Sequence, residues 1–262
     1  MNPEERSIIG ELTGILQGTG KNEKHRFYHL LPDRLNRLID NEEEQPTFVF
    51  FERERLAYIK SKVNVSGHRV LDIGCNTGFI LFDLLDSGAQ SVTGYEGKEL
   101  CSRYLHRAIE LLGEKERFAF HHQYFDFSNS DEQFDTIILL NVLHHVGDDY
   151  GEKSLNIEKA KEKILEQLNG LSKRTRNLVF QLGFNWQGNI HQCLFENGTK
   201  SEMIDYIRKG TSGDWDITGI GIAERNDGVT KYCELNETNI ERDDSLGEFL
   251  NRPIFILKSK HQ

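Results

Sequence analysis

The sequence predicts an α/β fold: a doubly wound sheet of about seven strands, mostly parallel with an antiparallel last strand, and helices on both faces. From residue 70 onward, strand-like apolar runs alternate with helix-like segments, which is the pattern of a largely parallel sheet. The segment 134–143 has an almost wholly apolar centre, as expected of a buried strand. The chain of 262 residues is long enough for one such domain with appendages.

The predicted elements alternate along the chain. Strands are expected at 68–74, 91–96, 117–127, 134–143, 176–184, 215–225 and 252–260, and helices at 48–63, 79–88, 98–113, 157–171 and 199–210. Gly88, Gly113 and Gly210 stand where a left-handed residue closes a helix. Thr199 and Glu202 have the spacing of a capping box at a helix start.

The chain is predicted to consist of an N-terminal helical extension over 1–47 and one α/β domain over 48–262. Residues 1–47 are rich in charge with weak helical period, whereas Leu56 and Ile59 belong to an apolar helical stripe that follows. Residues 226–251 are polar and acidic without a clear period, so they are interpreted as an elaboration of the last hairpin.

The composition predicts a cytoplasmic protein without membrane segments. The formal net charge is −10 and there is no long Lys/Arg run, so a cationic track for nucleic acid is not evident. The first residues are acidic where a secretory signal is basic, and no apolar stretch approaches membrane-spanning length. The four cysteines are scattered without a CxxC pair, which predicts reduced thiols and no bound metal.

The segment 70–80, VLDIGCNTGFI, combines a strand, a loop with two glycines and a helix start. It predicts a nucleotide-like ligand, because backbone N–H groups and a helix N-terminus face this edge. A P-loop is excluded because no Gly-Lys pair follows Gly74 at the required distance, and a dinucleotide fingerprint needs glycines where Asn76 and Phe79 stand. Asp72 favours a cationic ligand, since a carboxylate repels a diphosphate by about 1 to 4 kcal/mol at 4 Å.

The pattern Asp72-x-Gly74-x-Asn76-x-Gly78 resembles the first motif of the class I S-adenosylmethionine-dependent methyltransferases, which have a Rossmann-like fold. The family usually has glycine where Asn76 stands, and asparagine is one of the few other residues that tolerate a positive φ. The cofactor implied by the resemblance, S-adenosylmethionine, carries ammonium and sulfonium charges. Its product is S-adenosylhomocysteine.

The resemblance implies further cofactor residues where successive strands end. Glu96 would accept both ribose hydroxyls, Asp126 would accept from the adenine amino group, and Asn141 would lie near the methionine part. Neighbouring aromatic side chains such as Phe125 or Phe127 would pack on the adenine ring. The predicted cofactor-binding residues are Asp72, Gly74, Cys75, Asn76, Gly78, Glu96, Gly97, Asp126, Phe127 and Asn141.

Candidate residues for chemistry and for substrate binding follow the fourth and fifth strands. His144 and His145 are the candidate general bases, because the pKa of histidine suits proton transfer near neutrality; packing of the turn is the alternative, especially for His145. Asn185 and Trp186 are predicted to contact substrate by hydrogen bonding or stacking, with a structural loop as the alternative.

The sequence therefore predicts an enzyme that transfers a methyl group to an O or N atom of a small or medium-sized metabolite, such as a sugar, a sugar phosphate or a natural-product intermediate. A tRNA-modifying methyl or alkyl transferase is the first alternative, because GCNTGFI and LLNVLHHV are also similar to such proteins. Arg53, Arg55 and residues 60–62 would then form a local basic patch. A non-catalytic S-adenosylmethionine-binding protein is the second alternative.

Overall fold

The computed structural model of the protein describes five segments of the chain. These segments are residues 2–18, 30–39, 51–128, 131–151 and 154–262. The predicted boundary at residue 47 lies outside them and stays a prediction. Among the helices in these segments, none combines the length and the apolar character needed to cross a membrane.

Helices and strands alternate in these segments as the sequence predicts. The helices are α1 (Pro3–Gly18), α2 (Asp33–Ile39), α3 (Glu52–Lys62), α4 (Phe79–Asp86), α5 (Glu99–Leu111), α6 (Ile157–Gly170), α7 (Lys200–Thr211) and α8 (Gly247–Leu250). The strands are β1 (Arg69–Ile73), β2 (Ser91–Tyr95), β3 (Phe118–His121), β4 (Phe134–Leu140), β5 (Thr175–Gln181), β6 (Trp215–Asn226), β7 (Val229–Glu234) and β8 (Ile254–Ser259).

The chain forms two compact units. The first unit comprises Met1–Glu52 and Val65–Tyr124, and the second comprises Arg53–Asn64 and Phe125–Gln262. Each unit contains parallel strands connected through helices. The predicted α/β class is therefore confirmed.

The first unit has three parallel strands in the order β3-β2-β1. Helix α4 connects β1 to β2 and α5 connects β2 to β3. Gly88 and Gly113, with φ of 96° and 69°, follow these two helices as predicted. Helix α1 packs against α5, where Arg107 Nε lies 2.7 Å from Glu11 Oε2. Because parallel strands end at the same edge, the residues that follow β1 and β2 lie side by side.

The second unit has five strands in the order β4-β5-β8-β6-β7. Strands β4 and β5 are parallel, whereas β8 is antiparallel to both of its neighbours, β5 and β6. The predicted antiparallel last strand is therefore confirmed. The apolar stripe of α3 belongs to the core of this unit, since Leu56 and Ile59 are buried.

Three predicted features of the elements are wrong. The third strand ends at His121 rather than at residue 127, because the side chains from His121 to Tyr124 are exposed and give an extended strand no face to bury. Strand β7 was missed because it is an edge strand whose alternate residues are exposed. Gly210 lies inside α7, where a Cβ would lie 2.4 Å from Leu165 Cδ2; helix packing requires this glycine.

Candidate functional site

Every second residue in the loop between β1 and α4 has a left-handed backbone conformation. Gly74, Asn76 and Gly78 have φ of 82°, 48° and 71°. The prediction that Asn76 tolerates a positive φ in place of glycine is therefore confirmed. At Gly78 packing adds a second constraint, because a Cβ there would lie 2.8 Å from Leu105 Cδ2. The loop depends on backbone angles that few residue types adopt.

Three N–H groups of this loop bind oxygen atoms of the protein itself. Gly74 and Cys75 donate to the Tyr95 carbonyl oxygen, at 2.8 and 3.1 Å. The N–H of Asn76 donates to Glu96 Oε2 at 3.1 Å. The expectation that backbone N–H groups face a ligand at this edge is therefore wrong for these three positions. These three N–H groups are therefore not available to a phosphate ligand.

Glu96 connects the end of β2 to the loop. Its side chain is buried, with Oε2 accepting from Asn76 N and Oε1 accepting from Lys98 N at 3.0 Å. A carboxylate has about four lone-pair sites, so capacity remains for hydroxyl groups of a ligand. Two backbone donors fix the orientation of the carboxylate, and this geometry is compatible with the predicted binding of a ribose.

Two buried acids make this edge of the first unit negative. Asp72 and Glu96 both act on the thiol of Cys75, whose pKa burial raises well above its ordinary value and these charges raise further. The thiol packs inward, because a Cβ on Gly94 would lie 2.8 Å from Cys75 Sγ. The side chain of Cys75, which the sequence places among the cofactor residues, is therefore a neutral packing group.

One buried polar atom of the loop fits a cationic ligand. Asn76 is 6% exposed, and its Oδ1 has no hydrogen-bond partner within the described segments. A buried acceptor without a donor costs about 1 to 3 kcal/mol, which a ligand ammonium or hydroxyl group would offset. The acceptor and the two carboxylates together suit a ligand that carries positive charge and hydrogen-bond donors. The S-adenosylmethionine that the sequence implies meets both conditions.

An aromatic residue that the sequence analysis missed lies beside Glu96. The ring of Tyr124 covers Gly97, since a Cβ on that glycine would lie 2.6 Å from Tyr124 Cζ. Tyr124 is 42% exposed, so part of the ring surface is open to solvent. The absence of a side chain at Gly97 is what permits this contact. The predicted residue Gly97 therefore has a packing role, and Tyr124 joins the candidates for adenine stacking.

Asp126 and Phe127 belong to the second unit. Asp126 is exposed in a turn beyond β3, and its Oδ1 accepts from the hydroxyl and the N–H of Ser128 at 2.6 and 2.9 Å. These two bonds lower the pKa of Asp126. Phe127 contacts Phe125 edge to face, with 5.1 Å between ring centroids. The acid is therefore not at a strand end as expected, and its role toward adenine stays a prediction.

His144 is buried in the turn that follows β4. Its Nδ1 accepts a hydrogen bond from Gly183 N at 3.3 Å, which assigns the remaining proton to Nε2. Burial lowers the pKa of His144 well below its ordinary value, and the charges of His145 and Arg252 lower it further. A Cβ on Gly183 would lie 2.9 Å from the imidazole. The one imidazole nitrogen of His144 that could accept a proton is therefore already bound to Gly183 N, which disfavours the predicted role as a base.

His145 is more exposed and lies beside two acids. Its Nδ1 is 3.9 Å from Asp148 Oδ2, and its ring contacts the ring of His144 at 4.3 Å between centroids. His145, Asp148 and Asp149 each offer one possible metal ligand atom, and these atoms lie within 4.8 Å of one another. The sequence predicts no metal, and that expectation stays a prediction. Of the two candidate bases, His145 is the one with a carboxylate at ion-pair distance.

The predicted substrate residues follow β5. Trp186 is buried, and its indole N–H donates to the carbonyl oxygen of Val146 at 2.7 Å. The expectation that Trp186 offers an open ring for stacking is therefore wrong, because the ring is used to fix the turn after β4. Asn185 is partly exposed and pairs with Cys193 in an isolated bridge. Its contact with substrate stays a prediction.

Comparison with known sequences decides the family. Residues 23–181 match the sequence family described as a methyltransferase domain. The chain belongs to this methyltransferase family. The matched span includes the loop after β1, Glu96 and the residues after β4. The predicted class I S-adenosylmethionine-dependent methyltransferase domain is thereby confirmed.

This methyltransferase is also similar to individual curated proteins. A tRNA U34 carboxymethyltransferase of Nautilia profundicola is 33% identical over 96 residues, which are 33% of this chain and 29% of that protein. The tRNA U34 carboxymethyltransferase of Campylobacter fetus is 29% identical over 126 residues, which are 45% and 39% of the two chains. The methyltransferase therefore matches less than two fifths of the length of these relatives.

Similarity to a solved structure supports the fold. The magnesium protoporphyrin IX methyltransferase of Synechocystis, solved with bound S-adenosylmethionine, superposes with a TM-score of 0.51 at 18% identity. The superposition covers 86% of this methyltransferase and 89% of that chain. At this identity the similarity concerns the fold alone.

Proposed function

We propose that this methyltransferase binds S-adenosylmethionine through the loop after β1 and the end of β2, and transfers its methyl group to an oxygen or nitrogen acceptor. The observation that carries the proposal is the pairing of Glu96 with Asn76. The Glu96 carboxylate is buried and held by two backbone N–H groups, and the neighbouring Asn76 Oδ1 is a buried acceptor without a donor in the described segments.

Four residues of the first unit, Asp72, Asn76, Glu96 and Tyr124, each have a distinct part in the proposed binding. Glu96 accepts hydrogen bonds from the ribose hydroxyls, and Asn76 Oδ1 accepts one from the ammonium group. Asp72 adds a second negative charge, which favours a cationic ligand over a phosphate. The exposed part of the Tyr124 ring stacks on adenine, which is a large and favourable contact for an aromatic side chain.

When bound, S-adenosylmethionine supplies an activated methyl group, so the chain mainly has to align the acceptor and exclude water. A hydroxyl or ammonium acceptor must also lose a proton. His145 receives that proton in the proposed mechanism, because its imidazole is partly exposed and lies beside Asp148. His144 orients the turn by accepting a hydrogen bond from the N–H of Gly183 at Nδ1.

Different observations support two classes of acceptor. The names of the curated relatives support a nucleoside of tRNA, the alternative that the sequence analysis keeps open. The net charge of −10 supports a small metabolite. The basic patch expected for tRNA is also reduced in this structure, since Arg55 is buried and Lys62 lies 2.5 Å from Glu234 Oε1.

Transfer of label from methyl-labelled S-adenosylmethionine tests the proposal and separates the two acceptor classes. Bulk tRNA and a pool of small metabolites are supplied in parallel reactions at several salt concentrations. A tRNA acceptor predicts labelled RNA and binding that weakens linearly on a log–log salt plot, as expected when phosphate contacts release counterions. A small acceptor predicts label in the metabolite fraction and salt-insensitive turnover. Label in neither fraction would contradict transfer of the methyl group of S-adenosylmethionine to these acceptors.

A further inference from the structure

Three residues of the second unit form a closed ring of hydrogen bonds. Asn141 Nδ2 donates to Gln181 Oε1 at 2.9 Å, and Gln181 Nε2 donates to the carbonyl oxygen of Arg252 at 2.9 Å. The ring closes where Arg252 Nη1 donates to Asn141 Oδ1 at 2.7 Å. Because a guanidinium has donors and no acceptor, the ring admits a single orientation of both amide groups.

Arg252 is held in place on the side opposite Asn141. Its Nε and Nη2 donate to the carboxylate of Glu248, and Nε lies 3.1 Å from each carboxylate oxygen. Glu248 Oε1 also accepts from Phe184 N at 3.1 Å. The guanidinium lies 5.1 Å from the ring centroid of Phe249, and the side chain of Arg252 is 13% exposed. A planar fork bound in this way is more precisely oriented than a lysine ammonium would be.

The ring surrounds a residue with a left-handed backbone conformation. Asn141 directly follows β4 and has φ of 59°, an angle that few residues other than glycine and asparagine adopt. Its N–H donates to the Gln181 carbonyl oxygen at 2.9 Å, so Gln181 binds both the backbone and the side chain of Asn141. Conformations of this kind persist where the surroundings determine them, and they cluster at functional sites.

We propose that Arg252 is a positioning residue, which holds Asn141 in the backbone geometry that cofactor binding needs. This inference rests on the proposed function and extends it with Asn141, which the sequence resemblance predicts to lie near the methionine part of the cofactor. The proposal also gives a role to the end of the elaborated hairpin, where α8 supplies Glu248. Glu248 orients Arg252, and Arg252 orients Asn141. Gln181 is the second positioning residue in the same ring.

A double-mutant cycle tests this inference, with affinity for S-adenosylhomocysteine measured by calorimetry. Arg252→Gln is expected to lower the affinity about tenfold, because Asn141 loses its charged donor. Asn141→Gly removes the side chain that Arg252 holds, and glycine adopts the same φ without strain. In the Asn141→Gly background, Arg252→Gln is therefore expected to change the affinity less than about twofold.

Arg242, which also lies between β7 and β8, offers a matched control. It pairs with Asp244 at 2.7 Å, lies 5.3 Å from the ring centroid of Phe184 and donates to Gly198 O, outside the Asn141 ring. Arg242→Gln is expected to leave the affinity for S-adenosylhomocysteine within about twofold. If Arg252→Gln does not fold, Arg252→Lys replaces it in the cycle, because it keeps the charge but cannot hold both partners.

The outcomes of the cycle separate this inference from the proposed function. If the wild-type protein binds S-adenosylhomocysteine and Arg252→Gln binds it with the same affinity, the positioning role is overturned and the proposed function is left intact. An equal loss in both backgrounds, with either Arg252 variant, would show that Arg252 does not act through Asn141. A wild-type chain that does not bind S-adenosylhomocysteine would overturn the proposed function and this inference with it.

Discussion

Glu96→Ala is expected to lower the affinity for S-adenosylmethionine by about 100-fold or more. The substitution removes a buried carboxylate that the proposed function assigns to two ribose hydroxyls, and each hydrogen bond to a charged group contributes about 1.5 to 3 kcal/mol. It also removes the acceptor that holds the N–H groups of Asn76 and Lys98. Isothermal titration calorimetry of the two proteins measures the change.

Two further variants show whether this loss belongs to the carboxylate of Glu96. Glu96→Gln keeps the size of the side chain and one acceptor oxygen, so a smaller loss of about tenfold is expected. Glu99→Ala removes a nearby acid at the exposed start of α5 and is expected to leave the affinity within about twofold. Equal affinities for wild type and Glu96→Ala would refute the ribose assignment.

Gly78→Ala is expected to destabilise the protein by about 3 kcal/mol. The left-handed φ of 71° costs alanine about 1 to 2 kcal/mol. The added methyl group would also lie 2.8 Å from Leu105 Cδ2 and 3.3 Å from Phe82 Cε2, and overpacking of this kind typically costs about 1 to 3 kcal/mol. The free energy of unfolding from urea denaturation gives the value.

Gly67→Ala is the matched control for the packing part of this effect. Gly67 has nearly the same backbone angle, with φ of 74°, but a Cβ there meets no described atom within 4 Å. Gly67→Ala is therefore expected to lower the free energy of unfolding by about 1 to 2 kcal/mol, through the backbone conformation alone. If Gly78→Ala and Gly67→Ala lower the free energy of unfolding by the same amount, the contact with Leu105 does not contribute to the loss.

Features that depend on local chemistry could be predicted from the sequence. The positive φ at Asn76 followed from the tolerance of asparagine for left-handed angles, and it is found. The capping box of α7 followed from the spacing of Thr199 and Glu202, and both of its hydrogen bonds are present. The order of strands and helices followed from hydrophobic period, because burial of one face imposes that period on the sequence.

Features that depend on contacts distant in the sequence could not be predicted. Arg55 was named as part of a basic patch for the tRNA alternative, but tertiary packing buries it. For Trp186 the sequence left substrate contact and a structural loop both open, and its indole is bound to Val146 O, forty positions earlier in the chain. Tyr124 was missed because its position over Gly97 depends on where β3 ends. Side-chain partners of this kind are set by the fold rather than by neighbouring residues.

We propose that an acidic, glycine-containing loop binds a cationic sulfonium cofactor instead of a phosphate. Calorimetric titration of the wild-type protein with S-adenosylmethionine, and separately with a nicotinamide dinucleotide, tests it most directly. We expect saturable binding of S-adenosylmethionine with one site per chain and no detectable heat from the dinucleotide. Tight binding of the dinucleotide together with no response to S-adenosylmethionine would contradict it.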